Sequence, residues 1–376
     1  MQTLDSAMMT ISFVDLKAQY GSIKDEIDAA IADVLKDAAF VGGPFVTKFE
    51  QAFARYCGTR YCLGVANGTD ALFVALETLC IGPGDEVITA ANTFVATSEA
   101  IRMAGAQVVF VDIDPTSYTI DVERIEEKIT SKTKAIIPVH LYGRPADMDP
   151  ILALAKKHGL FVVGDAAQAH GALYKGQPVS TLADITCFSF YPGKNLGAYG
   201  DGGALVTDNE AWAARAAMFA NHGRTDTYDH AVEGVNSRLD GIQAAVLNTK
   251  LRHLDDWTER RRRNACRYHE ALKGTGVVTP CEIDDVKAVY HLYVVRVPGG
   301  RRDALLRDLK ANGISAGIHY PIALPFLNAY SHLAHRDGDF PEAVKASREV
   351  LSLPMFPELT DEQIQYVAGT IATALA

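Results

Sequence analysis

Seven short apolar stretches, separated by segments of helical pattern, constrain this chain more than any other feature of its sequence. They read YCLGVA (61–66), EVITA (86–90), QVVFVD (107–112), KAIIPVH (134–140), LFVVGDAA (160–167), ITCFSF (185–190) and GALVTD (203–208). Each is rich in β-branched residues and apolar at consecutive positions, so as a strand it has both faces to bury. Such strands suit a mostly parallel sheet covered by helices on each side. The intervening segments agree. TDALFVALETLC and TFVATSEAIRMAG carry apolar residues at helical spacing, each opening at a threonine able to cap and closing near a glycine. An α/β architecture is therefore predicted as far as residue 210.

Beyond residue 240 the texture changes. GIQAAVLNTKLRHLDDWTERRRRNACRYHEALKG predicts one long amphipathic helix ending at a glycine, followed by a strand in YHLYVVRVP, a helix in RRDALLRDLKANG and two more helical stretches near 341–350 and 361–374. At 376 residues the chain exceeds the size at which one core keeps growing. Two domains are predicted: a large one over 1–240, with a helical segment at its start, and a smaller α+β one over 241–376.

Composition narrows the function classes. A formal charge of −10 argues against a nucleic-acid surface, and the basic run ERRRR (259–263) reads first as a solvated helix face. No apolar run reaches membrane-spanning length, and the opening MQTLDSAMMTISFVDLK lacks the basic-then-apolar order of a signal peptide, so a cytoplasmic protein is expected. The six cysteines form neither a CxxC pair nor a Cys/His cluster. Reduced thiols and no metal site are expected.

Three segments lie where a strand gives way to a loop or helix, the edge at which open α/β sheets bind ligands. In VANGTDAL (65–72), Gly68 allows a tight turn and Thr69 opens a helix whose free amides suit a phosphate; alone, it could equally be an ordinary capped helix start. In VVGDAAQAHG (162–171), Asp165 ends an apolar strand with no basic neighbour in sequence. It either caps a helix or needs a cation from a distant side chain or a ligand. In SFYPGKNLGAYGDGG (189–203), Lys194 stands in a glycine-rich loop almost free of charge, where burial would ease loss of its proton. A phosphate cradle, a carboxylate for a ring nitrogen and a reactive amine are together the anchors of pyridoxal 5′-phosphate. Neither GxxxxGK[ST] nor a GxGxxG after the first strand is present to support a P-loop or dinucleotide site.

FVDLKAQY (13–20), FVGGPFVTKFE (40–50), NGTDAL, GPGDEVI, TFVAT, HLYG (140–143), DAAQAHGA, SFYPGKNLGAYGDGG, NSRLDGIQAAVL (236–247), HYP (319–321) and LSLPMFP (351–357) together give a resemblance. Over essentially its whole length the chain resembles nucleotide-sugar aminotransferases of the DegT/DnrJ family. The resemblance implies a type I pyridoxal-phosphate transferase fold, with a seven-stranded large domain and a smaller α+β domain.

It also implies site roles. Lys194 would hold the cofactor covalently and then shuttle protons, Asp165 would pair with the ring nitrogen, and Gln168 would lie near the phenolic oxygen. Phe94 would stack on the ring, while Gly68, Thr69 and Ser189 would hold the phosphate, with Asn236 reaching it from the partner subunit of a homodimer with shared sites. Arg238, His319 and Tyr320 would face substrate.

Glutamate is the implied amino donor and a nucleotide-linked keto-sugar the acceptor. FVDLKAQY with GGPFVTKFE is closest to members acting at carbon 3 of dTDP-3-keto-6-deoxyhexoses. UDP-linked 3-keto sugars and carbon-4 keto-sugars are the alternatives, with a dehydratase or a non-catalytic regulator further off. His170 and His222 read as hydrogen-bonded structural residues before substrate contacts. One departure stands out: HYP is followed by IALPFLNAY rather than the PLH of many relatives, so a pocket histidine is absent.

Overall fold

The computed structural model describes residues 9–226 and 228–376. The first eight residues, which begin the stretch read above for a targeting signal, lie outside the described residues, as does Thr227. All seven apolar runs form strands of one sheet: β1 Tyr61–Val65, β2 Glu86–Ala90, β3 Gln107–Val111, β4 Thr133–Ile137, β5 Phe161–Asp165, β8 Ile185–Ser189 and β9 Gly203–Thr207. The short β6 Leu173–Tyr174, β7 Gln177–Pro178 and β10 Val286–Lys287 make a small sheet apart. Strand order in the main sheet is β1-β9-β8-β5-β4-β2-β3. Only β9 runs antiparallel, against both β1 and β8. Strand β4 stops sooner than its apolar run, because Pro138 has no N–H for the ladder and Val139 rejoins only as a bridge to Asp165.

Helices cover the sheet on both faces. The described residues form α1 Leu16–Ser22, α2 Lys24–Asp37, α3 Pro44–Cys57, α4 Gly68–Thr78, α5 Ala96–Met103, α6 Met148–His158, α7 Glu210–Ala220, α8 Gly241–Leu251, α9 Leu254–Ala271, α10 Arg302–Ala311, α11 Pro341–Glu349 and α12 Asp361–Leu375. The sheet and helices such as α3 and α4 laid on it share a core that includes Phe49, Phe53, Leu72, Leu76, Ile88, Ile136, Val163 and Phe188. Such burial, at about 25 cal/mol per Å² of apolar surface, is what offsets the entropy of ordering the chain.

Three expectations are corrected. Threonine caps neither α4 nor α5: Asn67 caps the first, accepting from the Asp70 amide at 2.8 Å, and no side chain caps the second. The long helix predicted over 241–274 is two helices, α8 and α9, parted at Arg252 and His253. Neither glycine nor proline breaks it; Glu26 on α2 instead holds Arg252 at 2.7 Å and His253 at 3.2 Å. The strand β12 Val350–Leu353, paired antiparallel with β11 Tyr293–Arg296, was not anticipated.

Helix α8 packs on α2 and α3, while α9, α10 and α12 surround the two-stranded sheet. Tyr268 and Tyr293 stack there at 4.8 Å. The six cysteines are unpaired. Among the described residues no helix is long and apolar enough to cross a membrane, and no group of His, Cys, Asp and Glu could hold a metal ion.

Candidate active site

The carboxyl ends of β1, β2, β5 and β8 open along one edge of the sheet, and the three segments singled out in the sequence meet there. Helix α4 starts at Gly68, so the amides of its first turn lack intrahelical acceptors. A Cβ on Gly68 would stand 2.6 Å from Cβ of Ser189. Only glycine lets the helix begin this close to the end of β8. Ser237 braces the turn from behind, donating to Asp70 at 2.6 Å and accepting from the Ala66 amide at 3.1 Å.

Asp165 closes β5 and is 5 % exposed. Thr97 Oγ1 donates to its Oδ2 at 2.7 Å, and the Ala167 amide donates to Oδ1 at 3.2 Å. Burial nevertheless wins, raising the carboxyl pKa above its ordinary range despite these bonds and the nearby charge of Lys194. A full positive charge against it would reverse that balance.

Lys194 follows a turn in which its own amide donates to the Tyr191 carbonyl at 2.8 Å. Part of the side chain remains accessible, yet the amine lies deep enough that burial pulls its pKa down to about 8, with Asp165 acting the other way. Around it His170, His291 and His319 are all held neutral, chiefly by burial. An amine with its pKa near neutrality and no carboxylate bonded to it is a usable nucleophile.

Above these groups, Gln168 accepts from the Tyr142 amide at 2.7 Å and donates to the Tyr320 hydroxyl at 3.3 Å. Tyr142 adopts a left-handed conformation (φ 61°), and its hydroxyl donates to the His319 carbonyl. His319 stacks on Phe13 and bonds Ser352 at 2.8 Å. The ring of Phe94, half exposed, lies 5.8 Å from that of Tyr320. The segment 319–320 is thus tied to the large sheet through Tyr142 and Gln168.

Asn236 and Arg238 are exposed and flank the buried Ser237; Arg238 donates to Asn221 at 3.3 Å. Thr69 lies in the first turn of α4, partly buried. His170 is fully buried, its ring packed against Phe53, Phe188 and Phe190. His222 is exposed, its carbonyl meeting Nδ1 of His230 at 2.8 Å. Thr97 and Tyr142 went unnoticed in the sequence. A hydroxyl on the otherwise small, buried face of a helix start was the available signal for Thr97; Tyr142 offered none.

The residues fit pyridoxal 5′-phosphate. Gly68 and Ser189 form a narrow cradle beside free helix amides, the buried Asp165 lacks a bonded cation, and an amine near neutrality lies close enough to Asp165 to feel its charge. The profile described as the DegT/DnrJ/EryC1/StrS aminotransferase family matches residues 21–372. A pleiotropic regulatory protein of Geobacillus stearothermophilus is 47 % identical over 97 % of this chain and 98 % of its own length. The dTDP-3-amino-3,4,6-trideoxy-alpha-D-glucose transaminase of Streptomyces venezuelae is 46 % identical over 96 % of this chain and 95 % of its own. The crystal structure of S. venezuelae DesV in complex with a ketimine intermediate superposes with a TM-score of 0.94 at 44 % identity, covering 97 % of this chain and 98 % of that one.

Proposed function

Because the chain belongs to the DegT/DnrJ/EryC1/StrS aminotransferase family, we propose that it is a pyridoxal 5′-phosphate-dependent enzyme moving an amino group from glutamate to carbon 3 of a nucleotide-linked keto-sugar. A dTDP-3-keto-6-deoxyhexose is the favoured acceptor, in line with the motifs at 13–20 and 42–50 and with the Streptomyces transaminase. The observation that carries this reading is the meeting of Gly68, Ser189, Asp165 and Lys194 at one sheet edge.

When bound, the cofactor supplies an aldehyde that takes an amine and a ring that accepts electrons from the carbon beside the nitrogen. The chain's residues do the rest. Asp165, charged against a ring N–H, keeps the proton on that nitrogen, and Thr97 holds the carboxylate in place. Phe94 would cover one ring face, while Gln168 of the large domain and Tyr320 of the small one, bonded to each other, would form a polar wall beside the cofactor. Gly68, Thr69 and Ser189 bind phosphate through amides and hydroxyls. Nζ of Lys194 would be the group that moves the proton between the donor's α-carbon and the cofactor's exocyclic carbon. Transfer in two half-reactions gives ping-pong kinetics.

Asn236 and Arg238 are exposed on the chain alone, which suits a homodimer in which Asn236 reaches the neighbouring phosphate and Arg238 an anionic substrate group. The large and small domains of 1–240 and 241–376 and a cytoplasmic location belong to the same reading. Borohydride reduction of the cofactor-loaded protein followed by peptide mapping tests it: the label belongs on Lys194, and any other site refutes the assignment. A panel of dTDP-, UDP- and GDP-linked keto-sugars with glutamate then fixes the acceptor. The regulatory name of the Geobacillus relative raises a second reading, a cofactor-binding regulator without turnover. Failure of glutamate to convert the bound cofactor to its amine form would favour it.

A further inference from the structure

Helix α8 contains a lysine that the chemistry above does not use. Lys250 is fully buried, and among the described residues no carboxylate pairs with it. Its Nζ donates to the Gly197 carbonyl at 2.8 Å and stands 4.2 Å over the ring of Tyr199. A burial of this kind is costly, and burial accordingly draws the Lys250 pKa down to about 7. A methionine would fill the space without that cost, so what the lysine adds is its donor and its charge.

Both act on the loop that carries Lys194. Two turns earlier on the same face of α8, Gln243 accepts from the Tyr199 amide at 2.8 Å. The loop is folded tightly on itself: a Cβ on Gly197 would meet the Pro192 carbonyl oxygen at 2.2 Å. Residues 192 and 197 bracket Lys194 and pack backbone against backbone. Anchoring Gly197 therefore anchors both limbs beside the reactive amine, while Asn195, donating to the Val289 carbonyl at 3.0 Å, secures the tip.

We infer that Lys250, assisted by Gln243, is a positioning residue for Lys194: it grips the return limb of the loop so that the amine is held buried opposite Asp165. This rests on Lys194 being the reactive amine, and the test separates the two claims. The charged or titratable groups that face Lys194 are Asp165, His170, His291 and His319.

The experiment uses the full chain without cofactor. An amine-selective reagent is applied across pH 6–11 and the labelling of the Lys194 peptide followed by mass spectrometry, in the wild type, Lys250→Met, Lys250→Arg and Gln243→Leu. The wild-type midpoint lies near 8, as burial of the amine dictates. A wild-type midpoint at the ordinary lysine value overturns the premise about Lys194 itself. In Lys250→Met the loosened loop lets water reach the amine, and the midpoint rises by about one pH unit. Lys250→Arg, which keeps a donor and a charge, restores most of the shift. Gln243→Leu moves it in the same direction by less, and decides the matter should Lys250→Met fail to fold. A lowered melting temperature with an unchanged Lys194 midpoint overturns the inference, because a merely structural lysine would give that result.

Discussion

Thr97 and Asp165 are joined by a 2.7 Å hydrogen bond in a place that water does not reach, the threonine at the start of α5 and the aspartate at the end of β5. The donor is neutral, so it steadies the carboxylate without neutralising it and leaves the charge for a ligand to meet.

Replacing Thr97 by valine keeps the shape and removes that donor. Loss of one partner from a buried charged group costs about 1–3 kcal/mol, so the cofactor should bind about ten- to a hundredfold more weakly. Equilibrium dialysis with pyridoxal 5′-phosphate measures this; an unchanged affinity would show that the Thr97 bond has no part in binding.

Gly68→Ala places a methyl 2.6 Å from the Ser189 side chain. Overpacking there should cost about 1–3 kcal/mol and lower the melting temperature by a few degrees, with loss of phosphate affinity besides. Combining it with Ser189→Gly gives back the space. Thermal recovery in the double variant without recovery of cofactor binding is the expected pattern.

The pH dependence of cofactor capture follows from Lys194. A lysine whose pKa is lowered to about 8 is mostly protonated, and unreactive, below that value. Capture by the apoenzyme should therefore rise about tenfold per unit between pH 6 and 7 and flatten above about 8.5. His170 at about 3 and His319 at about 4 are neutral throughout and add no limb to the profile. Stopped-flow absorbance at fixed cofactor concentration provides the curve, and a midpoint two units higher would contradict the buried position of the amine.

Tyr320→Phe tests the wall opposite the ring. The bond it removes, from Gln168 at 3.3 Å, is long, so stability should change by no more than about 1 kcal/mol while amino transfer slows. Gln168→Leu differs, because it strips the acceptor from the Tyr142 amide at 2.7 Å and should destabilise the protein by about 1–3 kcal/mol. Denaturant melts beside single-turnover kinetics distinguish the two.

The seven strands were readable because β-branched runs buried on both faces have no other economical conformation, and Asp165 and Lys194 because a charge in apolar or glycine-rich surroundings demands a partner. What escaped notice was fixed by contacts distant in sequence. The break between α8 and α9 falls where Arg252 and His253 meet Glu26, more than two hundred residues earlier, and nothing within 241–274 announces it. Helix α4 takes its cap from Asn67 rather than Thr69 because the chain turns two residues sooner against Ser189 and Gly203. Tyr142 and Lys250 enter the site only once the sheet has brought their elements alongside it.

Strand β9 has one more consequence. It is the last of the seven to be synthesised and yet lies between the first, β1, and β8, pairing with both. Until residues 203–207 arrive, β1 and β8 have no strand between them, and the closure spans well over a hundred residues, a slow kind of step. A nascent chain still short of β9 carries every named anchor up to Lys194 on a sheet whose first strand has yet to find its neighbour.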